Sequence, residues 1–147
     1  MKFTNSLIKG KLLKRYKRFF ADIKVNNKII TAHCPNTGSM QGLLDEGNEV
    51  LVTEHNDPKR KLKFTLEIIK AKKRYVGVNT HRANKIVNHG LENKLISEFK
   101  TIKNIKPEFK FSDDTRFDFL CDSYLIEVKN VTLFRENDIA EFPDAVT

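Results

Sequence analysis

Tryptophan is absent from this chain, and cysteine, methionine, proline and glycine are sparse: 2 Cys, 2 Met, 4 Pro and 6 Gly in 147 residues. Cys34 and Cys121 lie far apart with no Cys-x-x-Cys pair, which excludes a disulfide framework and a thiolate zinc site. Both are expected to be reduced thiols, with Cys121 in the core. No stretch of 18 apolar residues occurs and no signal-peptide core precedes the first basic run, so a cytoplasmic chain with no membrane partner is expected. His33, His55, His81 and His89 share no metal-ligand spacing, and none is paired in sequence with a Ser or Cys nucleophile. None is expected to be catalytic. A Walker A loop, a dinucleotide fingerprint, internal repeats and low-complexity segments are also missing.

What is present is enough apolar material for a core, 39% hydrophobic residues including 11 Phe, in a length that suits one ordinary domain or two small ones. The net charge of +8 is unevenly placed. Residues 1–75 hold 17 Lys and Arg against 7 Asp and Glu, whereas residues 76–147 hold 10 against 12. Basic surface gathered on one lobe is the footprint of a polyanion binder; the plainer reading is solubilising lysine in a Lys-rich composition.

Lys9-Gly-Lys-Leu-Leu-Lys-Arg-Tyr-Lys-Arg18 has six basic residues and no acid, and it leads into Phe19–Val25, where apolar and polar residues alternate as in a half-buried strand. Asn26-Asn27 turns the chain into a second strand, Ile29–Cys34. Pro35, Gly38, Gly42 and Gly47 mark a long irregular loop. Glu49–His55 reads as a third strand and Lys61–Lys70 as a fourth, with Leu62, Phe64, Leu66 and Ile68 inward. Tyr75–Val78 is a short fifth. Five short antiparallel strands in about 70 residues predict a small barrel of OB type, a fold that grips single strands with a basic groove and stacking aromatics. The candidates here are Lys14, Arg15, Tyr16, Lys17 and Arg18, with Phe20, Lys59, Arg60, Lys61 and Lys72-Lys73-Arg74; each aromatic taken singly reads more readily as packing.

A short helix follows Asn79-Thr80, with Gly90 as its C-cap, and a second helix covers about 91–99. Ile102–Phe111, broken by Pro107, is an edge-like strand. The next stretch is Arg-Phe-Asp-Phe-Leu-Cys-Asp-Ser-Tyr-Leu-Ile-Glu-Val-Lys, from Arg116 to Lys129. Asp122-Ser123 is a two-residue turn, which sets Asp118 opposite Glu127 and Arg116 opposite Lys129 on one face. Phe117, Phe119, Cys121, Tyr124, Ile126 and Val128 share the other face and are predicted core. Two carboxylates about 5 Å apart repel by roughly 3 kcal/mol at an effective dielectric near 20. The flanking Arg116 and Lys129, a raised pKa on one acid, or a divalent cation would offset this; two convergent carboxylates with a lysine beside them suit Mg²⁺. The alternative is a solvated face carrying a charge ladder. Glu92 and Glu98 are further carboxylates on the helical segment.

Asp118, Glu127 and Lys129 also resemble the PD-(D/E)XK nuclease core, with Phe117 in the place of its proline. The likeness widens over nearly the whole chain. Leu13–Asp22, Thr31–Met40, Arg60–Glu67, Val76–Thr80, Arg116–Leu120, Glu127–Leu133 and Phe142–Thr147 resemble, in order, the sugar fermentation stimulation protein A family. That resemblance implies an α+β chain: a five-stranded OB-like β-barrel at 1–78, then an incomplete PD-(D/E)XK (restriction-endonuclease-like) α/β domain at 79–147. It implies DNA as the partner, bound with little sequence preference, and a regulatory role in bacterial sugar (maltose) metabolism. Asp118, Glu127, Lys129 and Arg116 take the nuclease-like positions, with Asp118 and Glu127 as ligands if Mg²⁺ is bound. Family members continue past Phe-Pro-Asp-Ala-Val-Thr, so this chain resembles a shortened form in which Phe117, Phe119 and Ile126 would lose cover. A Mg²⁺-dependent nuclease and an inactive fragment are the alternative expectations.

Overall fold

The structure, a computed structural model, describes residues 2–134 and 140–142. They form two compact units, one from residues 2–80 with the segment after Lys129, the other from His81–Lys129.

Alternation of apolar and polar side chains, broken by turn residues, builds the first unit. Its strands are β1 (Leu7–Tyr16), β2 (Phe20–Val25), β3 (Lys28–His33), β4 (Glu49–Glu54), β5 (Phe64–Ala71) and β6 (Arg74–Gly77). They hydrogen-bond in the order β3-β2-β1-β4-β5-β6, and a parallel pairing of β3 with β5 (Ala32 with Phe64, His33 with Thr65) closes the first five into an OB-like barrel. The count of five staves agrees with the sequence reading, but their identity is corrected. The Lys-rich segment before Tyr16 is itself the longest described strand, and the strand expected at Tyr75–Val78 is β6, paired with β5 at the end of the sheet order. Leu12, Ala21, Ile23, Ala32, Val50, Val52, Leu66 and Ile69 are fully buried and fill the interior.

Two bulges set which side chains look outward. In β1 the register passes from Leu12 opposite Ile23 to Lys14 opposite Asp22, leaving Leu13 extra. In β5 it passes from Leu66 opposite Val52 to Ile68 opposite Leu51, leaving Glu67 extra. A bulge re-aims the residues after it. Thus the fourth strand's inward set is not the uninterrupted alternation expected: Leu66 and Ile69 are buried to 0%, while Ile68 is half-buried.

The second unit opens with α1 (His81–Glu92), passes a 3-10 turn at Ser97–Phe99, and ends in the antiparallel sheet β7 (Ile105–Lys110), β8 (Arg116–Cys121) and β9 (Tyr124–Ile126), in that order. Gly90 does not end the helix as expected. It is buried within it, because a side chain there would press on Ile96, 3.2 Å from an ideal Cβ. The cap lies four residues on: Leu95 N–H donates to Gly90 O and Lys94 N–H to Leu91 O, with Lys94 at φ 54°, which is a Schellman ending. The second helix expected at 91–99 is only the 3-10 turn. Pro107 sits on the edge strand β7, where a missing N–H is tolerated.

Leu91, Ile102, Phe119 and Cys121 form this unit's core, with Val87, Phe99, Ile105, Ile126 and Val128 packed around it. The expected loss of cover over the hairpin is therefore corrected for Phe119, which is 2% exposed. Tyr124, expected in the core, is 57% exposed and meets Phe99 edge to face. Two short strands, β10 (Leu133–Phe134) and β11 (Ala140–Glu141), pair with each other. Residues 143–147 of the family-like segment lie outside the described residues. Among those described, no helix is long and apolar enough to cross a membrane.

Candidate functional site

Of the twelve barrel residues expected to meet nucleic acid, Lys72 and Lys73 form the β5–β6 turn and Arg74 opens β6, while the other nine fall into two loops and one strand face. Because Ala21 and Ile23 point into the core, Phe20, Asp22 and Lys24 point out. Tyr16 pairs with Phe20, Phe20 with His33, and His33 with Thr65, so these four occupy one lateral row across β1, β2, β3 and β5. The bulge at Leu13 is what puts Lys14 and Tyr16 on the same outer face as Lys9 and Lys11. Tyr16 stacks on Phe20, with centroids 5.5 Å apart and planes 17° from parallel, and Lys14 Nζ lies 5.3 Å from the Tyr16 centroid. Asp22 anchors this face. Its Oδ1 accepts from the Tyr16 hydroxyl at 3.2 Å and the Thr31 hydroxyl at 2.8 Å, and Lys14 Nζ is 3.7 Å from Oδ2.

At the β1–β2 turn, Lys17 and Arg18 are held at φ 48° and 61° and are exposed, as is Phe19 at 45%. Arg15, by contrast, works for the fold. Its guanidinium donates to Asn36 O at 2.7 Å and to Arg18 O at 3.1 Å, tying the turn to the loop after β3. The β4–β5 loop, residues 55–63, repeats the division of labour. Lys59 and Lys61 are exposed, and the Lys59 N–H donates to Asp57 Oδ1 at 2.9 Å. Arg60 donates to Leu62 O at 3.3 Å and to Thr65 Oγ1 at 2.7 Å, which seats it at the far end of the row. In an OB-type barrel these are the loops between strands 1 and 2 and between strands 4 and 5, the ones used for oligonucleotides.

The hairpin of the second unit has the predicted turn and register: Cys121 faces Tyr124, Leu120 faces Leu125 and Phe119 faces Ile126. The ladder stops one step short of Asp118 and Glu127. Asp118 reaches across the gap instead, its Oδ2 accepting from the Val128 N–H at 2.7 Å while Oδ1 accepts from the Asn84 side-chain amide. Glu127 Oε1 takes Lys129 Nζ at 2.7 Å. The hydrogen bond with Glu127 raises the Lys129 pKa above the ordinary lysine value against some desolvation, and the negative charge of Glu127 and of Asp118 adds to the rise. Lys129 is thus a firm ammonium at neutral pH, suited to orienting water or countering phosphate charge rather than to taking a proton. Asp118 is thus met by two donors and Glu127 by the lysine ammonium. Arg116 pairs across the strand with Glu108 at 3.7 Å.

Asn84 was invisible in the sequence as a site residue. Its spacing from Asn88 and Glu92, four residues apart on α1, sets the three on one helix face. All three line a cleft of about 280 Å³ with Asp118, Lys85 and Glu108. Glu98 accepts from the Ser97 hydroxyl, which holds its carboxyl below the ordinary range, and is not among the cleft's residues. Among the described residues no group of three or more His, Cys, Asp or Glu is arranged to hold a metal. Two carboxylates still fit Mg²⁺, which is commonly bound by one or two carboxylates with waters and substrate phosphates completing the shell, and each Asp118 oxygen keeps a lone pair beyond its one donor. Burial holds the Cys34 and Cys121 thiols above their usual pKa, so neither is an activated nucleophile.

Comparison with known proteins matches residues 13–78 to the SfsA N-terminal OB domain and residues 81–147 to the sugar fermentation stimulation protein RE domain. The sugar fermentation stimulation protein homolog of Pelagibacter ubique is 65% identical over all of this chain and 65% of its own length; that of Alteromonas mediterranea is 45% identical over all of this chain and 66% of its own. The chain thus spans a little under two thirds of these curated relatives. The solved structure of Pyrococcus furiosus SfsA in complex with Ca²⁺ superposes with a TM-score of 0.80 at 21% identity, over all of this chain and 63% of that one.

Proposed function

The chain belongs to the sugar fermentation stimulation protein (SfsA) family, and from that premise we propose that it is a DNA-binding protein with little sequence preference, acting through the outer face of its barrel. The observation that carries this reading is the placement of exposed Lys17 and Arg18 at one OB loop and exposed Lys59 and Lys61 at the other, on the half of the chain that holds the excess positive charge. Cations at loop tips meet phosphates whatever the base sequence, which gives affinity without readout. Any regulatory effect on sugar metabolism would act through this contact. Fluorescence anisotropy with two DNAs of unrelated sequence tests it. Both should bind with similar affinity, and log K should fall against log salt by roughly 0.9 for each phosphate neutralised. A flat salt response sinks the reading.

A second reading rests on the paired Asp118 and Lys129–Glu127 contacts, and on the Ca²⁺ with which the Pyrococcus protein is complexed: cation-dependent cleavage of phosphodiesters. Asp118 and Glu127 would hold the ion, which when bound polarises a phosphoryl oxygen. Asn84 and the Val128 N–H keep the Asp118 carboxylate oriented, and Lys129 counters the charge of the phosphate. Incubation of DNA with Mg²⁺ should show cleavage that Lys129→Ala abolishes; equal cleavage by both proteins discards this reading.

A further inference from the structure

Loop-tip cations would serve any polyanion, yet between the two loops lies a row of rings. Tyr16, Phe20 and His33 hold one register position on β1, β2 and β3, and Thr65 ends the row under the Arg60 guanidinium. Three interstrand steps make the row about 14 Å long. The rings are held in place before any ligand arrives: the Tyr16 hydroxyl is tied to Asp22, its ring is stacked on Phe20, and Lys14 stands over it. Phe19, in the turn beside Arg18, leaves 45% of its surface in water. A duplex keeps its base faces inside its own stack, so only unpaired bases can use such platforms, and stacking on them is indifferent to sequence.

We infer that, granted the DNA-binding reading above, the barrel's ligand is a single strand, with bases stacking on the Phe20 ring of the row and phosphates held by Lys17 and Arg18 at one loop and by Lys59 and Lys61 at the other. Stacking and charge then divide the binding energy, and only the charged part responds strongly to salt.

Anisotropy on the 147-residue chain with three probes of equal length decides it: oligo-dT, an abasic oligomer with the same number of phosphates, and a duplex. Oligo-dT should bind more tightly than the abasic strand by about fivefold to a hundredfold, with similar salt slopes for the two. Phe20→Leu, which keeps apolar bulk at that position, should bring the ratio toward one while leaving abasic binding in place. Should that variant misfold, as a circular dichroism melt would show, the wild-type ratio still decides. Equal affinity for oligo-dT and the abasic strand, or tighter binding of the duplex than of oligo-dT, overturns the single-strand inference and leaves the DNA-binding reading standing. Failure of all three probes to bind overturns both.

Discussion

A carboxylate sealed in a barrel wall is tolerable only when its oxygens are given donors. Glu67 is 2% exposed; Thr53 donates its hydroxyl to Oε1 at 2.8 Å and Asn79 its amide to Oε2 at 2.9 Å. The Thr53 oxygen also lies 3.1 Å from His55 Nε2. Thr53→Val keeps the shape and removes the donor, so it should cost about 1.5–3 kcal/mol in urea unfolding, the range for a hydrogen bond to a charged group. A loss near zero would mean the carboxylate is satisfied without Thr53. At the hairpin turn, the backbone N–H of Asn104 and then that of Lys103 hold the Asp122 carboxyl below its ordinary value. A depressed folded pKa gives stability that is present above the unfolded value, about 3.9, and is lost as pH falls through the folded value below it. Thermal melts of Asp122→Asn and wild type should therefore differ at neutral pH and draw together as pH falls below the unfolded value; a constant gap across that range would trace the effect to something other than this charge.

Among the elements, β1 ties the sequence to the site, and it is the one the sequence hid. Lys9, Gly10, Lys11 and Leu12 do alternate out and in, but the extra residue at Leu13 inverts the phase before Lys14 and Tyr16, so no single period runs through the strand. The same device, at Glu67, broke the expected inward set of β5. Where no bulge intervenes, as in β2, β3 and the β8–β9 hairpin, alternation and a two-residue turn were enough to read strands and register. The hairpin's register from Phe119 to Ile126 was legible because two residues of turn chemistry fix who faces whom. Asn84 was not, because nothing local to α1 announces a partner in β8. Gly10 makes β1 possible at all. A Cβ there would lie 2.6 Å from Ile23 Cγ2 and 3.0 Å from the Lys24 carbonyl oxygen on the neighbouring strand. Gly10→Ala must push β2 away and should lower stability by about 1–3 kcal/mol, the usual penalty of overpacking. An unchanged urea midpoint would show that β1 and β2 separate more easily than their contact suggests.

At the scale of the molecule, the division of charge matters more than its sum. Residues 1–75 carry 17 Lys and Arg against 7 acids, and in the barrel much of that surplus is already committed. Lys9 is paired with Glu49, Lys14 stands by Asp22, and Arg15 and Arg60 brace loops. Lys17, Arg18, Lys59 and Lys61 stand at the two loop tips, and a polyanion would meet them first. Replacing all four with Gln removes half of the net +8 without touching a core contact, so the fold should melt as wild type. If each meets one phosphate, the log–log salt slope should fall by roughly 2.8 for a single strand, or roughly 3.6 for a duplex, and low-salt affinity for DNA should collapse. The same fourfold change at Lys94, Lys100, Lys103 and Lys106, in the half whose charges nearly balance, lowers net charge equally and serves as the control. Loss of binding confined to the first set would place the contact on the barrel loops; equal loss from both would show that net charge, rather than this arrangement of loops, attracts the DNA.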